Sequence, residues 1–241
     1  MPDDLASVSD AARHVAKAGE LTNEQDQAFV WLEDNLTPLQ RQGFSQRWRA
    51  RPTPPPGGRI LLNAPHFSQR DSVTSQGDRM CFSSTCAMAA EFLRPGCLAG
   101  QGQPDDRYLA LVQRRGDTTQ APAQVAALAG LGIRAVFRQD GSLDTLLSLL
   151  RRGVPVPVGW LHRGPVSAPA GGGHWSLVIG WDPDGQRVIM HDPYGEASLA
   201  EGGYRTTAVG SGRSVRYSWA NWAPRWMVEG PGSGWLLELS K

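Results

Sequence analysis

Two hydrophobic rhythms, one helical and one extended, divide this chain. Phe29, Leu32, Leu36, Leu39, Phe44 and Trp48 recur at helical spacing, and Thr22 and Thr37 each stand three residues before a Gln, the signature of a helix start. This predicts a helical hairpin from Asn23 to about Trp48. Residues 51–58, RPTPPPGG, form a stiff proline spacer ended by glycines. The chain is therefore expected to comprise a small helical cap (1–50), the spacer (51–58) and a main domain (59–241).

Within the main domain, residues 59–63 read as a short strand. A helix rich in Ala and Met runs from Ser83 to Leu93, with Cys81 at its start, and further helices are expected over 105–113, 122–131 and 142–152. A strand over 133–137 separates the last two. Val154–Trp160 is extended and apolar, and its two prolines predict an edge or irregular strand. Trp175–Trp181 and Gln186–His191, rich in Val, Ile and Trp, read as paired strands. Helices first and an antiparallel sheet afterwards make an α+β layout.

Composition narrows the function classes. A length of 241 residues suffices for a buried core, and 24 basic against 23 acidic residues, net +1, give no basis for a nucleic-acid or anionic-membrane partner. No run approaches a membrane span, and the first twenty residues lack the apolar core of a signal peptide, so a cytoplasmic location is expected, a virion-associated one being compatible. Cys81, Cys86 and Cys97 are odd in number and lack metal-binding spacing, which argues against a disulfide framework or a zinc site.

The chemistry concentrates in two stretches. Cys81 lies where the turn Gln76–Arg79 enters a helix, and unpaired backbone N–H groups at a helix start favour thiolate over thiol. A hundred residues on, His174 and Asp192 flank the paired strands. With Pro183 and Gly185 in a three-residue loop, Asp182 pairs with Gln186, and Asp192 falls opposite Ser176, one diagonal step from His174 on the same face. A two-residue loop would send the two side chains to opposite faces. His174 and Asp192 are then a base and its orienting carboxylate, completing a triad with Cys81. His162 and His191 fit less well: His191 alternates away from Asp192, and His162 precedes the glycine loop Gly171–Gly173. Cys86 is expected in the core. Among the C-terminal aromatics Tyr204, Tyr217, Trp219, Trp222, Trp226 and Trp235, the stretch NWAPRW could wall a peptide-binding cleft, but most of the rings are read as core filling, with no site role.

Taken together, Gln69, Cys81 followed by a helix with Met88, Gly-His-Trp before a strand, and His-Asp-Pro-Tyr-Gly resemble the papain-like cysteine peptidases of family thirty-nine, relatives of the domain that cleaves double-glycine leaders from bacteriocin precursors. The resemblance spans roughly residues 60 to 200. It implies a papain-like fold, Cys81 as nucleophile, His174 as general base, Asp192 as orienter and Gln69 as the side-chain donor of the oxyanion hole. Gln76, inside the turn, is expected to bond locally. The family's usual Gly-Pro after the Cys is here Phe82-Ser83, which predicts a narrower approach to the thiol. A peptide or protein substrate and no cofactor follow. A peptidoglycan-directed amidase or endopeptidase, a transglutaminase-like acyl transferase, and a non-catalytic component of a phage particle or secretion assembly share the same residue pattern.

Overall fold

The computed structural model describes residues 58–241, so the predicted hairpin and all but the last residue of the proline spacer lie outside the described residues. Residues 59–182 and 187–241 form one compact unit. Its order is β1 (Ile60–Leu61), a 3-10 turn (Gln69–Asp71), α1 (Cys81–Leu93), α2 (Pro104–Gln113), α3 (Ala121–Gly130), β2 (Arg134–Gly141), α4 (Leu143–Arg151), β3 (Val156–Trp160), β4 (His174–Asp182), β5 (Arg187–His191), β6 (Glu196–Ala197), β7 (Tyr204–Thr206), β8 (Val215–Ser218), α5 (Trp219–Trp226) and β9 (Gly234–Ser240). Among the described residues no helix is long and apolar enough to cross a membrane.

The helix starts follow local chemistry. Pro104 opens α2 with Asp105 and Asp106 in its first turn, where the helix dipole favours negative charge. Ser142 caps α4 by accepting from the Thr145 amide at 3.2 Å. Small and flexible side chains let α1 be buried on nearly every side: Cys86, Ala87, Met88, Ala89 and Ala90 are all inaccessible.

One antiparallel sheet runs in the order β2-β9-β3-β4-β5-β8, with β1 added to β4 beyond the end of β3. Alternation sends Leu177, Ile189, Leu237 and Leu239 to the face covered by α1, α2 and α3. Val158, Val178, Val188 and Leu236 point to the other face, against α4 and the stacked indoles of Trp222 and Trp226. The result is the expected α+β layout, with α1 packed on the antiparallel sheet.

Two strand expectations are corrected. β3 is a central, fully buried strand between β9 and β4, not an edge. Its prolines are tolerated because Pro155 precedes the strand and the ladder to β9 comprises only Val158 and Gly159. The β4–β5 loop has four residues rather than three, since Asp182 pairs with Arg187. An extra residue, Ile179, is then inserted between the pairs Gly180–Ile189 and Val178–Met190. This bulge shifts the register by one, giving Leu177–His191 and restoring the expected continuation of Asp192 toward Ser176. The bulge is held by β1: Leu62 N–H donates to Ile179 O at 2.8 Å. A Cβ on Gly180 would lie 2.3 Å from the Ile60 carbonyl oxygen, so close pairing with β1 requires glycine there.

Candidate active site

Cys81 is the first residue of α1, and the polar residues that follow fix that helix end. Ser83 shares a hydrogen bond with Thr118 (2.7 Å) and accepts from Gln124 Nε2 (2.9 Å). Ser84 donates to the buried Asp105 (2.7 Å), and Thr85 donates to Trp175 O on β4 (3.0 Å). The first turn of α1 is thus tied to α2, α3 and the strand that carries His174. Phe82 lines the cleft beside Cys81. Its ring is buried and stacks on Trp175, with centroids 3.6 Å apart and planes within 4°. Such a pair adds about 1 kcal/mol beyond its area burial.

His174 begins β4, and its Nε2 bonds Asp192 Oδ1 at 2.8 Å. The other ring nitrogen, Nδ1, is not engaged by Asp192, and Cys81 lines the cleft on which His174 opens. Asp192 is fully buried, and its carboxylate has further donors: Tyr194 N–H (2.9 Å) and Gly195 N–H (3.4 Å) on Oδ1, and the Ser176 hydroxyl (3.2 Å) on Oδ2. Burial works against the imidazolium of His174. The negative charges of Asp192 and Cys81 and the hydrogen bonds to both outweigh it, and the pKa is pushed up to about 10.

Gln69 lies in the 3-10 turn and is buried. Its backbone N–H donates to Pro193 O (2.9 Å), which docks this turn on the residue after Asp192. Its Nε2 donates to Gly77 O at 2.6 Å, while Oε1 has no partner. Gln76 bonds locally, accepting from Arg79 at 2.9 Å. Arg79, on the cleft wall, in turn makes a two-point ion pair with Asp117, 2.8 Å at each contact.

Gln69, Cys81 and His174 therefore open on one cleft of about 970 Å³, with Gly171–Gly173 and Tyr194 also on its wall. Asp192 stands behind His174, out of solvent. Cys86 is buried, and burial drives its thiol pKa up, so it belongs to the core as expected. His191 faces away, bonding Ala64 O (3.0 Å) and Ser214 N–H (3.0 Å).

Several residues at the cleft carried no signal in the sequence pattern. Tyr204, read as core filling, has its ring centroid 5.7 Å from that of His174, and Trp235, 45% exposed, lines the cleft. His162, set aside as a base, stands 5.5 Å from His174. Arg225, inside α5, is buried and donates to the carbonyls of Leu161, Arg163, Gly164 and Leu199, pinning the segment that carries His162. These contacts cross the chain, and spacing along it does not announce them.

A thiol at the start of a helix, packed on an antiparallel sheet that supplies the imidazole and carboxylate, is how a papain-like cysteine peptidase is built. The sequence carries the assignment further: the model of the Peptidase_C39 like family matches residues 61–221, and the chain belongs to that family. No curated protein matches the sequence. Among solved structures, the double glycine motif protease of an AMS/PCAT transporter, crystallised in complex with the leader peptide, is 15% identical with a TM-score of 0.41, over 75% of this chain and 93% of that one. A C39-like peptidase from Bacillus anthracis is 16% identical with a TM-score of 0.45, over 77% of this chain and 98% of that one.

Proposed function

We propose that the protein hydrolyses peptide bonds through a Cys81–His174–Asp192 triad, with Gln69 as the side-chain donor of the oxyanion hole. The observation that carries this reading is the 2.8 Å hydrogen bond between His174 and the buried Asp192, with Cys81 and His174 lining the same cleft. In this reading His174 takes the proton of the Cys81 thiol, leaving a thiolate beside an imidazolium. The thiolate attacks the scissile carbonyl, and the carbon–nitrogen bond breaks as His174 gives its proton to the leaving amine. Neutral His174 then draws a proton from water, whose oxygen attacks the thioester, and the acid product leaves with Cys81 restored.

Gln69 suits its role because Gly77 O takes only one of its two amide hydrogens, leaving the second for an oxyanion. The backbone N–H of Cys81, at a helix start and unpaired within the helix, is the natural second donor. A donor of this kind is worth about 3 kcal/mol of transition-state stabilisation. The substrate class is a peptide or protein.

Iodoacetamide labelling of Cys81 between pH 4 and pH 9, read by peptide mass spectrometry, tests the triad. Rapid labelling at pH 5, where a free thiol of pKa about 8.5 is almost wholly protonated, and its loss in His174→Ala is the expected result. Labelling that rises only near pH 8.5, unchanged in His174→Ala, would overturn it.

A further inference from the structure

Behind the proposed triad stands a second, buried chain of hydrogen bonds that ends on the same carboxylate. The indole N–H of Trp160, the last residue of β3, donates to Ser176 Oγ at 3.0 Å. The Ser176 hydroxyl donates to Asp192 Oδ2 at 3.2 Å. The direction of this chain is fixed. An indole nitrogen only donates and an ionised carboxylate only accepts, so the single hydroxyl proton of Ser176 must point at Asp192.

The same indole also meets the imidazole. Trp160 stands edge-on to His174, centroids 5.5 Å apart and planes at 81°. It occupies the place directly opposite His174 in the β3–β4 ladder, and Ser176 lies two residues along β4, on the same face. All four side chains are buried: Trp160 and His174 are almost wholly inaccessible, Ser176 and Asp192 entirely so.

We infer that Ser176 and Trp160 are positioning residues that act as one unit, holding the Asp192 carboxylate in the rotamer that receives His174 and walling the imidazole into place. The inference rests on the triad reading above. A carboxylate with no access to water must have each oxygen met by donors, and Oδ2 has Ser176 as its side-chain donor. Without that hydroxyl Oδ2 loses its side-chain donor, the carboxylate is free to turn, and its support of the imidazolium weakens. Tyr204 and His162 pack beside the imidazole, their ring centroids 5.7 and 5.5 Å from that of His174.

The test needs no substrate. In full-length protein labelled with 15N-histidine, His174 is assigned from the spectrum of His174→Ala and titrated by NMR from pH 5 to pH 11. Ser176→Ala is expected to lower the His174 titration midpoint by about one unit, a tenfold change in its ionisation constant, and Trp160→Phe, which keeps a ring and removes the N–H, to lower it less. Ser176→Thr, which retains the hydroxyl, is expected to restore the native value. In the double variant the two effects should fall short of their sum, since either change breaks the same chain. A native midpoint in Ser176→Ala, or loss of thermal stability with no change in midpoint, would reduce Ser176 to packing and overturn the inference. Where Ser176→Ala does not fold, Trp160→Phe decides by the same criterion. Failure of the triad itself is seen separately, as iodoacetamide labelling that His174→Ala leaves unchanged.

Discussion

Two histidines on one hairpin, His174 at the start of β4 and His191 at the end of β5, are 4% and 2% exposed, yet their proton affinities move in opposite directions. His174 rises to about 10, because the charges of Asp192 and Cys81 and its bonds to them exceed the cost of burial. His191 falls to about 4, because burial dominates, His66 and Arg213 add repulsion, and its hydrogen bonds go to uncharged backbone. Its Nδ1 accepts from Ser214 N–H while Nε2 donates to Ala64 O, a pairing that only the neutral ring can make. His66, whose ring meets His191 edge-on at 5.2 Å, shares this pocket and is likewise lowered by burial. Burial alone keeps a histidine neutral. Neighbouring negative charge, from Asp192 and Cys81, reverses that direction in the same degree of burial.

The comparison can be broken most strongly at the carboxylate. Asp192→Asn keeps a hydrogen-bond acceptor and removes the charge, so His174 should titrate below its ordinary value of 6.5, as His191 does, and peptide hydrolysis should fall by about a hundredfold or more. NMR titration and a peptide-cleavage assay measure the two effects. The next largest effect is expected at Gly180, since the register that gives the two histidines different pockets depends on the bulge beside it. Gly180→Ala forces a Cβ against the Ile60 carbonyl and should destabilise by roughly 1–3 kcal/mol, with a lowered Tm and slower labelling of Cys81.

The gentlest change acts through pH. An unfolded histidine titrates near 6.5 and native His191 near 4, so the unfolded state binds the extra proton between those values. The stability this neutral ring contributes is complete above pH 6.5, is lost as pH falls through about 4, and amounts to about 3 kcal/mol. His191→Gln, whose amide can serve both backbone partners, should flatten the fall in Tm between pH 7 and pH 4. His174 works with the opposite sign: its contribution is complete below pH 6.5 and is lost as pH rises through about 10. In Asp192→Asn the alkaline loss should disappear.

Much of this difference between the histidines was legible in the chain. Cys81 at a helix start, the strands around residues 175–181 and 186–191, and the alternation that turns His191 away from Asp192 all follow from local rules: helix period, turn chemistry and the two-residue repeat of a strand. These patterns are set by residues close in sequence, which is why α1 to α4 and the paired strands β4 and β5 were recovered within one or two residues of their ends, whereas α5, among the C-terminal aromatics, was not foreseen. The proline-bearing β3 was misread for the same reason. Local rules see two missing donors, whereas the strand's central place depends on which of its edges β9 and β4 leave unpaired.

The loop and bulge divide the credit most sharply. The sequence determined that a turn at Pro183–Gly185 joins two strands carrying His174 and Asp192, since turn residues and β-branched runs act locally. It did not determine the register. A four-residue loop alone would set Asp192 opposite Leu177, on the wrong face, and the inserted Ile179 brings it back. That insertion is held by Leu62 and Ile60, more than a hundred residues earlier in the chain. Contact between distant segments, fixed only when the whole core packs, decided which histidine meets the carboxylate.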